Sequence, residues 1–323
     1  VYFFHSYISL YYYMKNDLSN IKKAIKYLNN NDCIAIPTET VYGLAGNAYS
    51  DKSTEKIFKL KKRPKKNPLI VHYYNLNLLK KDCFINKEFL KLYKKFCPGP
   101  ISFILKLKKE SLISKNVTNN KKTLAVRFPK HTLTRKLLNK LNYPLAAPSA
   151  NITSRISPVK KQDVVDEFGK KVKFILDGGQ SKIGLESTII NLIGKPQILR
   201  LGGLEKNELN KFLKINAKYI KKSKNIIMPG QGNLHYSPKI PIRLNVKNPR
   251  PHEAFVLIKK RKLSDKKYYY LSKNKNLREA AKNLYTVLRE IKKKSFKGIA
   301  IEKIPNKGLG ETINDRIIRA SKF

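Results

Sequence analysis

The sequence predicts an α/β protein: a twisted mixed sheet covered by helices, then a smaller α/β unit. Three observations predict it. Through residue 205, short apolar, β-rich runs alternate with segments whose apolar residues recur at helical spacing. A Pro- and Gly-rich stretch, Met228–Pro241, then breaks the pattern. Beyond it the order strand–helix–strand–helix occupies the remaining chain.

Asp17 or Ser19 can cap a helix over about 18–30, where Ile21, Ile25 and Leu28 share a face. Cys33–Pro37 reads as a buried strand that runs into Pro37–Gly43, PTETVYG, and a Gly-containing turn at Gly43 and Gly46. A short helix starts near Ser53 with Ile57 and Leu60 inward. Leu69–Tyr74 reads as a strand, and Lys87–Phe96 as a helix stopped by Pro98-Gly99-Pro100. Ile101–Lys108 and Thr123–Phe128 are predicted strands, Thr132–Leu141 a helix and Leu145–Ala147 a short strand. Val159–Phe168 is a predicted helix closed by Gly169. Strands are predicted at Val172–Asp177, Ser187–Ile193 and Gln197–Leu201. Several of these runs are hairpin-like, which argues for a mixed sheet.

The expected divisions are an N-terminal extension (1–17), a catalytic domain (18–205), a linker (206–241) and a C-terminal domain (242–323). Lys211–Asn225 is Lys-rich and weakly patterned. In the last division Glu253–Lys259, Lys267–Ser272 and Gly298–Ile304 read as strands, and Leu277–Lys294 and Thr312–Ser321 as helices. That order in so short a segment is a small Rossmann-like α/β domain. It lacks GxGxxG, so no dinucleotide site is expected there.

A length of 323 residues allows two domains, each with its own core, and 41% hydrophobic residues is a globular composition. No run of about 18 apolar residues occurs, so no membrane span is expected. The net charge of +47 has two readings. One is a nucleic-acid partner. The other, which we favour, is AT-rich coding: Lys, Asn, Ile and Tyr abound, Trp is absent, and Lys is spread over every helix face. Either way the charge should draw in anions and favour weak RNA binding at low salt. Cys33, Cys83 and Cys97 form no CxxC pair, and the five histidines show no metal-ligand spacing. Reduced thiols in a cytoplasmic protein are expected. Val1–Tyr13 lacks a signal peptide's basic start, and Met14 is the expected native start.

Five motifs carry polar groups to strand ends, where ligands bind in open α/β sheets. The first is PTETVYG. The second is Lys61-Lys62-Arg63-Pro64 with Asn67 and His72, in which Arg63 offers a fork for phosphate or carboxylate and Lys61 a point charge. Read alone it is a solvated basic face. The third is Thr123–Arg127, where Arg127 sits among apolar residues and needs an internal acid or a ligand anion. The fourth is Ala146-Ala147-Pro148-Ser149-Ala150-Asn151, followed by Ser157-Pro158. The fifth joins Glu186-Ser187-Thr188 to Arg200-Leu201-Gly202-Gly203. No Ser-His-Asp order or carboxylate pair stands out. Thr, Ser, Asn, Lys, Arg and Tyr suit binding polyanions and orienting reactants, as phosphoryl and nucleotidyl transfer require.

In order, PTETVYGL, KKRPKKNPLIVH, FCPGP, LAVRFP, APSAN with a following SP, ESTIIN and ILRLGG resemble the YrdC-like family of threonylcarbamoyl-AMP synthases. HYSPKIP and Gly308–Arg316 resemble the linker and C-terminal end of its two-domain form. The resemblance implies that L-threonine, bicarbonate or CO2 and ATP give threonylcarbamoyladenylate and pyrophosphate, with Mg²⁺ accompanying the ATP. It implies a downstream tRNA threonylcarbamoyl transferase that modifies position 37 of tRNA. Thr40, His72, Arg127 and Ser187 would hold threonine. Arg63, Asn67, Thr123, Ala147, Ser149, Ser157, Arg200 and Tyr236 would hold ATP. Lys61 and Arg63 would serve the reacting groups, and no metal ligand is assigned. Glu39 receives no role. The alternative is a basic RNA-binding module of this fold without synthase activity. The chain departs from the family pattern in having Ala45-Gly46 for Gly-Ala, Lys62 for Gly, Cys97 for Trp, Arg155 near a usual Gly, and Leu201 for Pro.

Overall fold

The computed structural model describes residues 17–214, 219, 235–261 and 266–322. The expected start at Met14, the extension before residue 17 and the linker segment 220–234 lie outside the described residues.

The larger sheet contains β1 (Ile34–Ile36), β2 (Gly43–Asn47), β3 (Ile70–His72), β4 (Ile101–Lys106), β5 (Thr123–Arg127), β6 (Leu145–Ala146), β7 (Thr188–Asn191) and β8 (Gln197–Arg200). Their order is β1-β2-β6-β3-β5-β4-β7-β8. β3/β5 and β4/β7 are parallel and the other pairs antiparallel, so the sheet is mixed. Helices α1 (17–29), α2 (Asp51–Lys61), α3 (Leu76–Asp82), α4 (Lys87–Phe96), α5 (Lys115–Thr118), α6 (Thr132–Asn139), α7 (Lys161–Phe168) and α8 (Lys206–Leu213) accompany it.

Alternation along the central strands divides two faces. Val71, Phe103, Leu105, Leu124, Val126 and Ile190 enter the main core with Phe89, Leu92 and Phe128. Ile70, Ile104, Ala125, Ile189 and Leu199 form a smaller apolar cluster of their own. His72, Ser102 and Arg127 continue the second set at the strand ends, as the two-residue period requires.

The smaller sheet comprises β9 (Ile242–Leu244), β10 (Glu253–Lys259), β11 (Tyr268–Ser272) and β12 (Gly298–Ile301), in the order β11-β10-β12-β9. All its pairs are parallel. Helices α9 (Leu277–Lys292) and α10 (Leu309–Ala320) pack their apolar faces into its core. Asn276 starts α9 by accepting from the amides of Arg278 and Glu279.

Some local expectations differ from the structure. Gly43 and Gly46 lie within β2 rather than in a turn. Neither has a left-handed φ. Gly46 is needed for space, because a Cβ there would stand 2.5 Å from Ser53 Oγ on α2. Residues 172–177 form no strand; one parallel bridge joins Ile175 to Ala35, with Ala35 N donating to Phe174 O and Leu176 N to Ala35 O. The span 206–241, expected as linker, opens with helix α8. Short elements α3, α5 and β9 carry too few residues for a clear period, and the sequence reading passes over them.

Candidate active site

Register assembles the site. His72 on β3 lies opposite Arg127 on β5, and Arg127 lies opposite Ser102 on β4. Ser102 pairs with Ile189 on β7, and Ile189 with Arg200 on β8. Directly paired residues share a face. One lateral row across five strands therefore carries His72, Arg127, Ser102 and Arg200, of which His72, Arg127 and Arg200 line one cavity. The apolar floor includes Ile70.

Arg127 is anchored on one side only. Its Nη2 donates to Glu39 Oε1 at 2.7 Å and to Thr40 Oγ1 at 2.8 Å. Glu39 Oε2 accepts from Lys130 N at 2.9 Å, so both carboxylate oxygens are occupied. The partner that the sequence left open is thus an internal acid, and Glu39 gains a role. Arg127 Nε is buried without a partner. Both His72 ring nitrogens are likewise buried and unpartnered. Burial first, and Arg127 second, push the His72 imidazole well below its ordinary range, so it is neutral at pH 7.

Thr38, rather than Thr40, lines the cavity. Thr38 Oγ1 sits 2.8 Å from Thr40 Oγ1 and donates to Val41 O at 2.6 Å, which tightens the turn. Thr40 stands one step back, on Arg127. Thr38 has no role assigned from sequence, although its spacing of two from Thr40 is a signal.

At the far end of that row Arg200 donates through Nε and Nη2 to Ser187 O at 3.1 and 2.8 Å, and Nη2 also reaches Ser187 Oγ at 3.1 Å. Ser187 Oγ is 2.8 Å from Ser102 Oγ. Arg63 donates to the carbonyls of Asn67 and Pro68 at 3.0 and 2.9 Å. Burial, followed by the nearby Arg200, brings Arg63 down to about 10, which leaves it charged at pH 7. Two buried guanidiniums that oppose each other beside one cavity suit an anion.

Ala147, Pro148 and Ser149 supply another wall. Lys61 is buried behind them and does not line the cavity; its Nζ donates to Ser149 O and Asn151 O. Burial, and then Arg63, push that ammonium well below its usual range. Asn67, Thr123 and Ser157 also lie outside the lining. Asn67 Oδ1 is buried without a partner. Thr123 is on the same face of β5 as Arg127 but four residues away, about 13 Å along the strand. Ser157 Oγ donates to Glu186 Oε1 at 2.6 Å.

His235 and Tyr236 close the cavity from the linker. Their rings are 4.1 Å apart, and Tyr236 is 1% exposed with its hydroxyl unpartnered. Glu186, a further lining residue to which the sequence reading gave no role, also accepts from Arg316 Nε at 2.8 Å. Burial would raise the Glu186 carboxyl, but Arg316, Arg200 and the Ser157 hydroxyl outweigh it and hold the group at about 2.

Residues 26–202 match the Sua5–YciO–YrdC family, described as telomere recombination. Residues 204–322 match the threonylcarbamoyl-AMP synthase C-terminal domain. The chain is 34% identical to the threonylcarbamoyl-AMP synthase of Pyrococcus abyssi, covering 94% of each chain. It is 31% identical to that of Bacillus subtilis, covering 93% of this chain and 92% of the relative. The crystal structure of P. abyssi Sua5 complexed with L-threonine matches at a TM-score of 0.86 and 31% identity, over 93% of this chain and 94% of that one. The chain belongs to the Sua5–YciO–YrdC family, in the form that carries a second, C-terminal domain.

Proposed function

We propose that this chain condenses L-threonine, bicarbonate and ATP into threonylcarbamoyl-AMP with release of pyrophosphate. The enzyme class follows from family membership over nearly the whole chain. The observation that carries the site assignment is the set of buried, unpartnered groups, Arg127 Nε and both His72 nitrogens, on one wall of the cavity. Buried polar atoms without partners are rare and call for a ligand.

Arg127, backed by Thr40, would pair with the threonine carboxylate, with His72 and Ser187 around the rest of the amino acid. Arg63 and Arg200 would face the phosphates, with Ala147 and Ser149 on the nucleotide side; Asn67, Thr123 and Ser157, which lie outside the lining, would support that side without lining it. Lys61 would act by holding the carbonyls of Ser149 and Asn151 rather than by touching phosphate. Tyr236 would cover the nucleotide. The threonine amine takes up bicarbonate with loss of water, and a carbamate oxygen then forms a bond to the α-phosphorus as pyrophosphate leaves. The substrates supply the nucleophile. The protein supplies orientation, fixed positive charge and exclusion of water.

Mg²⁺ would enter with ATP as the counterion of the triphosphate. Among the described residues no group of three or more His, Cys, Asp or Glu could hold a metal ion, so no side chain is assigned to it. Hand-over to a tRNA threonylcarbamoyl transferase, a cytoplasmic location and weak RNA contact through the positive charge complete the proposal. No helix among the described residues is long and apolar enough to cross a membrane.

Pyrophosphate release is the test, with threonine, bicarbonate and ATP omitted in turn. Release should require all three, and release independent of threonine refutes the reading. Arg63→Ala should abolish most of the release while the protein stays folded.

A further inference from the structure

Arg316, on α10 of the small domain, is 1% exposed and makes an unusual set of contacts for a residue so far along the chain. Its Nε donates to Glu186 Oε2 at 2.8 Å, across 130 positions of sequence. Its Nη2 donates to Leu201 O at 2.6 Å, and Nη1 to Asp315 Oδ2 at 2.6 Å. The guanidinium carbon stands 4.8 Å from the ring centroid of Tyr236, a cation–π distance. Glu186 and Leu201 are the chain neighbours of Ser187 and Arg200. One small-domain side chain therefore holds two strand ends of the site and the aromatic ring that closes it.

Tyr285, on α9, completes the assembly. Its hydroxyl donates to Glu186 at 3.1 Å, and its ring stacks on Tyr236 with centroids 5.9 Å apart and planes at 20°. Tyr236 itself has φ +67°, a conformation that tyrosine adopts only when its surroundings hold it. Two of the groups against its ring, Tyr285 and Arg316, belong to the small domain.

We propose that Arg316 is a positioning residue of the active site, with Glu186 and Tyr285 as its supports, and that it acts by seating Tyr236 over the bound nucleotide. The small domain is then part of the catalytic apparatus. This rests on the assignment of Tyr236 to the nucleotide. It adds that the placement of Tyr236 is set from the other domain, through a charge that Glu186 balances.

The test uses the full chain and three readouts. Ser237 N donates to Ser154 O at 2.8 Å, so its amide reports whether the segment is seated. In ligand-free Arg316→Met, hydrogen exchange at Ser237 should quicken about tenfold. The KM for ATP should rise about tenfold, while that for threonine stays within about twofold. Adding Arg316→Met to Tyr236→Ala should change the KM for ATP no further, because both act through one ring. Arg316→Lys, which keeps the charge, should recover part of the loss. Leu257→Ala, which opens a cavity on the other face of the small sheet, controls for stability alone. Tyr285→Phe gives a milder lesion of the same kind if Arg316→Met does not fold. Unchanged exchange at Ser237 in a folded variant overturns the proposal, as does equal exchange in Leu257→Ala or a multiplicative double variant. A wild-type protein that releases no pyrophosphate refutes the functional reading instead, and the exchange readout still decides the tether.

Discussion

Replacing Arg127 by Met separates what this residue does for the fold from what it does for a ligand. Arg127 and Glu39 side chains are 5% and 7% exposed and meet at 2.7 Å. Arg127→Met leaves a carboxylate buried without its cation, and removal of one partner from such a pair costs 3–5 kcal/mol. Lys130 N still donates to Glu39 and the cavity lies alongside, so the lower end, about 3 kcal/mol, is expected. Glu39→Gln should cost a similar amount, because an amide cannot accept at both ends while Arg127 and Lys130 both donate. The double variant puts a neutral pair of similar size in the same space. It should also lose only about 3 kcal/mol rather than the sum of about 6, a coupling of about 3 kcal/mol. Urea unfolding of the four proteins measures the cycle. Threonine-dependent pyrophosphate release should be absent in Arg127→Met and remain absent in the double variant. A double variant that loses the full sum refutes the pairing argument, as does an Arg127→Met loss under about 1 kcal/mol.

Other expectations follow from local geometry and charge. Lys62 ends α2 in the left-handed region with φ 49°, so Lys62→Gly should stabilise the protein by about 1 kcal/mol in thermal or urea unfolding. Gly184 has φ +76°, and a Cβ there would stand 2.5 to 2.8 Å from the α9 backbone at Lys282 and Ala281. Gly184→Ala should therefore cost roughly 2–4 kcal/mol, and an unchanged midpoint would contradict the close packing. Glu186 ionises at about 2 in the folded protein against 4.5 ordinarily, so its charge favours folding above pH 4.5. That stability, roughly 3 kcal/mol, should be lost as pH falls from 4.5 to 2, and Glu186→Gln should flatten this limb of the unfolding curve. His72 adds a second window: the unfolded imidazole takes a proton near pH 6.5 while the buried one resists it, so stability also declines as pH drops below 6.5. His72→Asn should reduce that slope.

Much of this protein is written in local chemistry. The central strands, α4 and the helices of the small domain follow from apolar period and from Pro and Gly stops, because those signals act within a few residues. The functional motifs are legible for a related reason. Polar side chains that end apolar strands are out of place unless something binds them, and Arg127 is the clearest case. What the sequence could not decide is who faces whom. Thr38 rather than Thr40 reaches the cavity because the turn after β1 rotates one hydroxyl inward and leaves the other on Arg127. Glu39 has no visible task until β5 is laid beside it, and Lys61 becomes a backbone clamp only when the Ser149–Asn151 loop folds over it. Above all, Arg316 and Tyr285 stand about a hundred positions or more from Glu186 in the chain. Strand and helix periods carry no information across that distance. Domain packing and sheet register alone bring those charges together, because desolvated ionic groups must find partners wherever the fold places them.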